Sequence, residues 1–256
     1  MLALLAGVAA CGSYKPVAPG PAPSDGPSTS APAALPTISP RPTEATFTPS
    51  PRPSRAVPSQ TDDVAGFTAR WQRITDWMRA EAPADFADLR PPVPTGQAAL
   101  EQSIGEPIPA DVAAYFTTAP QTNDALINPL PFYVPFSFST AAAEATQRQQ
   151  IAHQVGGGDG NDPEAGGNAF AWPRRFVPIA WDGTGDDLVV DLRPGPKHGC
   201  VKEWSNDDGA LYDCVWPSVG AMLDDVASSM EQVTPTKSGW IAYISGKRVD
   251  WEVAGQ

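Results

Sequence analysis

The chain has 256 residues, among them 30 prolines, 22 glycines and three cysteines, and a formal net charge of −12. That charge argues against nucleic-acid binding by phosphate neutralisation, and no apolar run reaches the roughly 20 residues that a transmembrane helix needs. The prolines are unevenly spread, with 13 of the 30 between residues 12 and 60. The chain therefore divides into a short apolar start, a proline-rich stretch and a region of about 195 residues, enough for one domain.

Leu2 to Ala10 form an almost unbroken run of Leu, Ala and Val that stops at Val8-Ala9-Ala10-Cys11. The run suits the 7–15 residues of a secretory signal core. Small residues directly before a cysteine resemble a bacterial lipobox, which implies a diacylglycerol on the Cys11 thiol and cleavage just ahead of it. Export signals carry a basic segment, and no Lys or Arg precedes Leu2, so the start codon is expected upstream of Met1. The expected location is the extracytoplasmic face of a cell membrane, reached through this lipid.

Residues 12–60 are mostly Pro, Ser, Thr, Ala and Gly, with Tyr14 and Phe47 the only aromatics. Such a segment cannot bury enough apolar area to offset the entropy of ordering, so a disordered, partly polyproline II tether is expected. Its upper reach is on the order of 150 Å at about 3.1 Å per residue. Four basic residues (Lys15, Arg41, Arg52, Arg55) against two acidic (Asp25, Glu44) concentrate the negative charge on the rest of the chain. That balance favours solubility or a basic partner.

From residue 61 aromatic residues recur regularly. Val64, Phe67, Trp71, Ile74, Trp77 and Met78 make a helical stripe, capped by Thr61 or Asp62 and ended by Pro83. A short helix is expected from Thr95 to Ile104, stopped by Gly105, and another after Ile108-Pro109 through Val112, Tyr115 and Phe116. Pro131 to Phe138 reads as extended, and Thr140 to Val155 as a helix ended by Gly156. Strands are predicted over Phe176–Trp181, Asp187–Leu192, Cys200–Trp204 and Ala210–Trp216, separated by Gly, Asp and Pro turns. Ser218 opens a helix with Val219, Met222, Leu223, Val226 and Met230 on one face. A terminal hairpin, Trp240 to Ile244 and Arg248 to Val253, turns at Ser245-Gly246. The expected fold class is α+β: a single domain over 61–235 with a mainly antiparallel sheet flanked by helices, and a hairpin extension over 236–256.

Two segments carry a family resemblance. Ile104-Gly-Glu-Pro-Ile-Pro-Ala-Asp-Val-Ala-Ala-Tyr-Phe116 is similar to the "LG..LP.d...fy" stretch of the SUKH superfamily, the Smi/Knr-like cell-wall-assembly regulators. Val177-Pro-Ile-Ala-Trp-Asp-Gly-Thr-Gly-Asp-Asp-Leu-Val-Val-Asp-Leu192 resembles that family's "iPia.dg.GD.l.lDl" strand-turn-strand, followed by Gly199-Cys200-Val201. The likeness covers roughly residues 67–232. It departs from the family at Thr117–Asp124, where an Asn-Gly is usual, in a Gly/Asp insertion at 156–168, and in the terminal hairpin. The resemblance implies helices around an antiparallel sheet, no catalysis and a role in binding proteins; bacterial members look like immunity proteins that neutralise toxins.

Little in the chain suggests chemistry. His153 sits on a polar helix and His198 in a Pro/Gly loop, with no HExxH, GxSxG or phosphate loop, so no catalytic residue, metal site or cofactor is expected. Gly157-Gly-Asp-Gly-Asn-Asp162 matches part of a calcium-binding nonapeptide. It occurs once, and Glu164 stands where an apolar residue is needed, so a surface loop is preferred. Cys200 and Cys214 lie symmetrically about Asp207 in a predicted hairpin; in an oxidising compartment they should pair, contributing about 3 kcal/mol. Trp181, Asp182, Asp186 and Asp187, with Asp191 beyond, form the candidate binding surface for a basic partner. The competing reading of Asp182 and Asp186 is turn chemistry, since their side chains can accept backbone N–H bonds. Three functions remain: a tethered protein-binding module, such as an immunity factor against a basic toxin; a cell-wall polymer-binding lipoprotein; and an enzyme.

Overall fold

The structure is a computed structural model that describes residues 64–122, 127–156, 163–210 and 213–255. Cys11, the proline-rich stretch, the Thr61/Asp62 cap and the Gly157–Asp162 motif lie outside the described residues. The element order is α1 (Val64–Glu81), α2 (Pro83–Asp88), α3 (Gln97–Ile104), α4 (Ala110–Thr118), β1 (Val134–Pro135) and α5 (Phe138–Gln154). It continues with β2 (Phe176–Trp181), β3 (Asp187–Asp191), β4 (Cys200–Trp204), α6 (Val219–Gln232), β5 (Trp240–Ser245) and β6 (Arg248–Val253). Strands β1 to β4 form an antiparallel sheet in sequence order, and β5 and β6 a separate hairpin, so the fold is α+β.

The first helix forms because Phe67, Trp71, Ile74 and Met78, four and three residues apart, put one apolar stripe into the core. Each such side chain contributes about 1.5–3 kcal/mol on burial. Pro83 follows the end of α1 as expected, but also opens α2, where its missing N–H costs nothing at the first turn. In α4, Tyr115 and Phe116 continue the core: Trp71 lies 5.8 Å from Tyr115, and Phe116 stacks on Phe138 at 4.7 Å. The predicted extended segment Pro131–Phe138 is shorter than expected. Only Val134 and Pro135 pair, and α5 begins at Phe138 because Ser137 and Thr140 close a capping box, with N···O distances of 3.2 and 2.8 Å.

Both faces of the sheet are covered. On one, Val177, Ala180, Leu188, Val190 and Val201 meet the helices in the main core. On the other, Phe176, Val189 and Trp204 pack with Ala152, Ala169, Trp172 and Ala210 in a second, smaller core. This second face also buries charge. Lys202 is fully buried, and its ammonium donates to the carbonyls of Gly167, Gly166 and Ala210 at 2.7, 3.3 and 3.4 Å. Beside it, Asp191 accepts the Gly166 N–H at 2.8 Å and pairs with Arg193 at 2.8 Å.

The predicted strand Ala210–Trp216 is not a continuous partner of β4 among the described residues. Ala210 bridges to Ala169 and Trp216 to Val201, because Lys202 draws the Ala210 carbonyl towards the 166–169 loop. The pairing of cysteines survives this difference: Cys200 and Cys214 are disulfide-bonded, with Cα atoms 5.8 Å apart.

The terminal hairpin shares the main core through Ala242, Val249 and Trp251. Its two-residue turn is Gly246-Lys247, one position beyond the expected one, with both φ angles positive (58° and 69°), as a type I′ turn requires. Asp85, fully buried on α2, fixes it by accepting the Val249 N–H at 2.8 Å and the Arg248 guanidinium at 2.7 Å. Asp85→Ala leaves that N–H unpaired, so it should destabilise the domain by about 2 kcal/mol in urea unfolding. A change under about 0.5 kcal/mol would show that the hairpin is held by its apolar contacts alone.

Candidate functional site

The β2–β3 connection, residues 182–186, is built around one carboxylate. Asp182 Oδ1 accepts the backbone N–H groups of Thr184, Asp186 and Gly185 at 2.8, 2.9 and 3.0 Å, and Oδ2 accepts the Thr184 hydroxyl. Gly183 and Gly185 supply the positive φ angles (84° and 120°) that the loop needs. Burial pushes the Asp182 carboxyl up, but the hydrogen bonds from Thr184, Asp186 and Gly185 outweigh it, so its pKa lies below the ordinary range. This side chain does the work of a turn residue.

Asp187 turns to the other face, in register with Trp181 and Trp204, and is 1% exposed. Arg148 from α5 reaches it with Nε and Nη2 at 3.1 and 2.8 Å. The same guanidinium donates to Asn206 Oδ1 (2.9 Å) and to the Gly185 carbonyl, pairs with Glu144 at 2.7 Å, and lies over the Trp172 ring. Burial pushes the Asp187 carboxyl up to about 7; Arg148 opposes this, but Glu144 shares its charge and repels Asp187. Asp191 is also buried, against Arg193.

Of the four candidate binding residues, two are therefore occupied internally: Asp182 by the turn and Asp187 by Arg148. Trp181 is half-buried, its ring parallel to Phe136 at 6.4 Å between centroids. Asp186 is half-buried and uses one oxygen, Oδ1, to accept the Asn206 N–H at 2.9 Å; Oδ2 has no hydrogen-bond partner among the described residues.

Two residues outside that set have raised pKa values in which its charges take part. The register aligns Pro135, Ala180, Leu188 and Glu203 across the sheet, so Glu203 points to the face that carries the main core. Tyr133 lies just before β1, bridged to Leu130, and is buried in the main core. Glu203 is half-buried with no hydrogen bond or ion pair among the described residues, and burial, then the charge of Asp186, raises its pKa. Tyr133 is 9% exposed, and its hydroxyl has no partner among the described residues. Burial raises its pKa, and so do the charges of Glu203, Asp182, Asp186 and Asp187. The neighbouring Phe132 takes a left-handed φ of 63°, its ring edge-on to Trp240 at 4.4 Å.

No sequence rule singles out Tyr133 within an aromatic run or Glu203 within a strand. The signal for Glu203 is the pairing register, which appears only in the fold. Elsewhere, His198 Nδ1 sits 3.1 Å from the Arg193 carbonyl and His153 is exposed on the last turn of α5. No group of three or more His, Cys, Asp and Glu side chains is disposed to hold a metal among the described residues. No described helix is long and apolar enough to cross a membrane. No protein-family model matches the chain, and no curated protein matches it.

Asp187, Asp85 and Glu203 all have raised pKa values, so the folded domain holds protons that the unfolded chain has released between about pH 4 and pH 7. Stability should therefore fall as pH rises from 5 to 8. Asp187→Asn removes the titration near 7 and should flatten the slope of Tm against pH over that window. An unchanged slope would mean that Asp187 is ionised throughout.

Proposed function

We propose that this chain is an extracytoplasmic protein-binding module of the SUKH, Smi/Knr-like type, lipid-anchored through Cys11 and tethered by its proline-rich stretch. Its partner is a basic polypeptide, with a secreted toxin as the class, and its role is that of an immunity protein. The observation that carries the reading is a contact between the two segments on which the resemblance rests. The Tyr115 hydroxyl of the first donates to the Ile179 carbonyl of the second at 3.0 Å, inside the core and 64 residues away in sequence. This hydrogen bond between motifs separated that far in the chain joins one helix to one strand, as parts of a single scaffold would. The disulfide suits an oxidising compartment. The excess of acidic residues, 29 against 17 basic in the whole chain, favours a basic partner.

A wall-polymer role has one feature in its favour. An open groove of about 860 Å³ between α3 and α5 is lined by Gln102, Gln147, Gln150 and Arg174, whose amides and guanidinium match a polymer rich in hydroxyls, amides and carboxylates. Sedimentation of the chain with purified peptidoglycan would favour this alternative.

Co-export with a toxin encoded beside the gene tests the main reading. The chain should form a stable complex with the toxin and restore growth, and Cys11→Ser should release it from the membrane fraction. A chain that neither binds nor protects against such a toxin contradicts the proposal.

A further inference from the structure

We propose that the groove between α3 and α5 binds an N-acylated sugar acid, whose carboxylate is received by Arg174. This deepens the wall-polymer reading and rests on it for the source of the ligand. Charge selects the ligand class. The chain has 29 acidic residues against 17 basic, yet among the described residues no Asp or Glu lines the groove, and Arg174 is its one charged lining residue. The Arg174 guanidinium rests on Gly105, with Nη2, Cζ and Nε 2.5, 2.6 and 2.8 Å from where a Cβ on that residue would stand, so the glycine leaves the space that it fills. Its neighbour Arg175 pairs with Glu106 at 3.2 Å, whereas Arg174 makes no hydrogen bond or ion pair among the described residues. Its N–H donors are therefore open to a carboxylate, which a guanidinium meets through two parallel bonds. One guanidinium balances the single charge of a carboxylate better than the nearly double charge of a phosphate monoester.

The walls supply the rest. The Gln149 amide of α5 donates to the Ser103 carbonyl of α3 at 3.0 Å, pinning the two helices beside the buried Ala142 on the groove floor. Ser103 and Thr146 donate their hydroxyl protons to the carbonyls of Leu100 and Ala142 at 2.7 and 2.8 Å, which leaves their oxygens as acceptors. Gln102, Gln147 and Gln150 are exposed, and no hydrogen bond among the described residues engages their amides, each of which both donates and accepts. Hydroxyls and N-acyl amides, with the same double capacity, match such walls. A protein segment would need apolar pockets for its anchoring side chains, and among the described residues the only apolar ones lining the groove are Ala99, Ala142 and Ala143.

NMR titration of the full chain with the disaccharide of N-acetylglucosamine and N-acetylmuramic acid, and separately with diacetylchitobiose, which lacks the carboxylate, tests the proposal. Saturable shifts are expected at the side-chain amides of Gln102, Gln147 and Gln150 and at Arg174 Nε, with the neutral disaccharide bound about tenfold more weakly. Arg174→Gln should bring the two sugars to equal binding and leave Tm unchanged, because Arg174 has no internal partner to lose. No saturable shift, equal binding of the two disaccharides, or selectivity that persists in Arg174→Gln would overturn the site. Tighter binding of the peptide acid Nα-acetyl-alanyl-alanine at the same amides would also overturn it, and would reassign the groove to a peptide C-terminus. Sedimentation with peptidoglycan that is unchanged in Arg174→Gln would overturn the groove site and leave the wall-polymer reading standing. Disaccharide binding without sedimentation would do the reverse.

Discussion

The fully buried ammonium of Lys202 sets the terms for the second face of the sheet. An unpaired charge there would be strongly unfavourable. Its three N–H donors are instead absorbed by the carbonyls of Gly167, Gly166 and Ala210, and Asp191 next to it takes the Gly166 N–H and the Arg193 guanidinium. These bonds fasten the 163–169 loop to the strands. The loop leads on to Trp172, which closes over Phe176 and Trp204 at 5.8 and 5.1 Å. A sheet that would otherwise show one face to water acquires a second core.

Arg148 repeats the device at the other end of the same face, where it joins α5 to the β2–β3 turn and to Asn206. With Asp187 paired to Arg148 and Asp182 committed to the loop, two of the four acidic-turn candidates serve the fold itself. Asp186, the third acidic candidate, gives one oxygen to the Asn206 N–H.

Much of this architecture could be read from the sequence. The stripes of α1 and α6, the turn glycines, the β2 and β3 strands and the cysteine pair follow from spacing and turn chemistry. What escaped was the second face. Asp187, Asp191 and Lys202 alternate with Val and Leu along β3 and β4, the pattern of strands with one wet side. Their partners, Arg148 and the carbonyls near Gly166, lie between 25 and 39 residues away or come from loop backbone, where side-chain patterns are silent. For the same reason Ala210–Trp216 read as a strand, and Tyr133 and Glu203 read as ordinary members of their segments.

Hydrogen exchange on Lys202→Met tests the dependence on this buried cation most directly. Three carbonyls lose their donor, so the variant should be destabilised by about 2–4 kcal/mol. The Gly166, Ala169 and Ala210 amides should lose protection first, with α1 and α6 following only at global unfolding. Protection at those three amides equal to that of the unsubstituted chain would contradict the account, and would mean that the aromatic cluster alone holds the second layer.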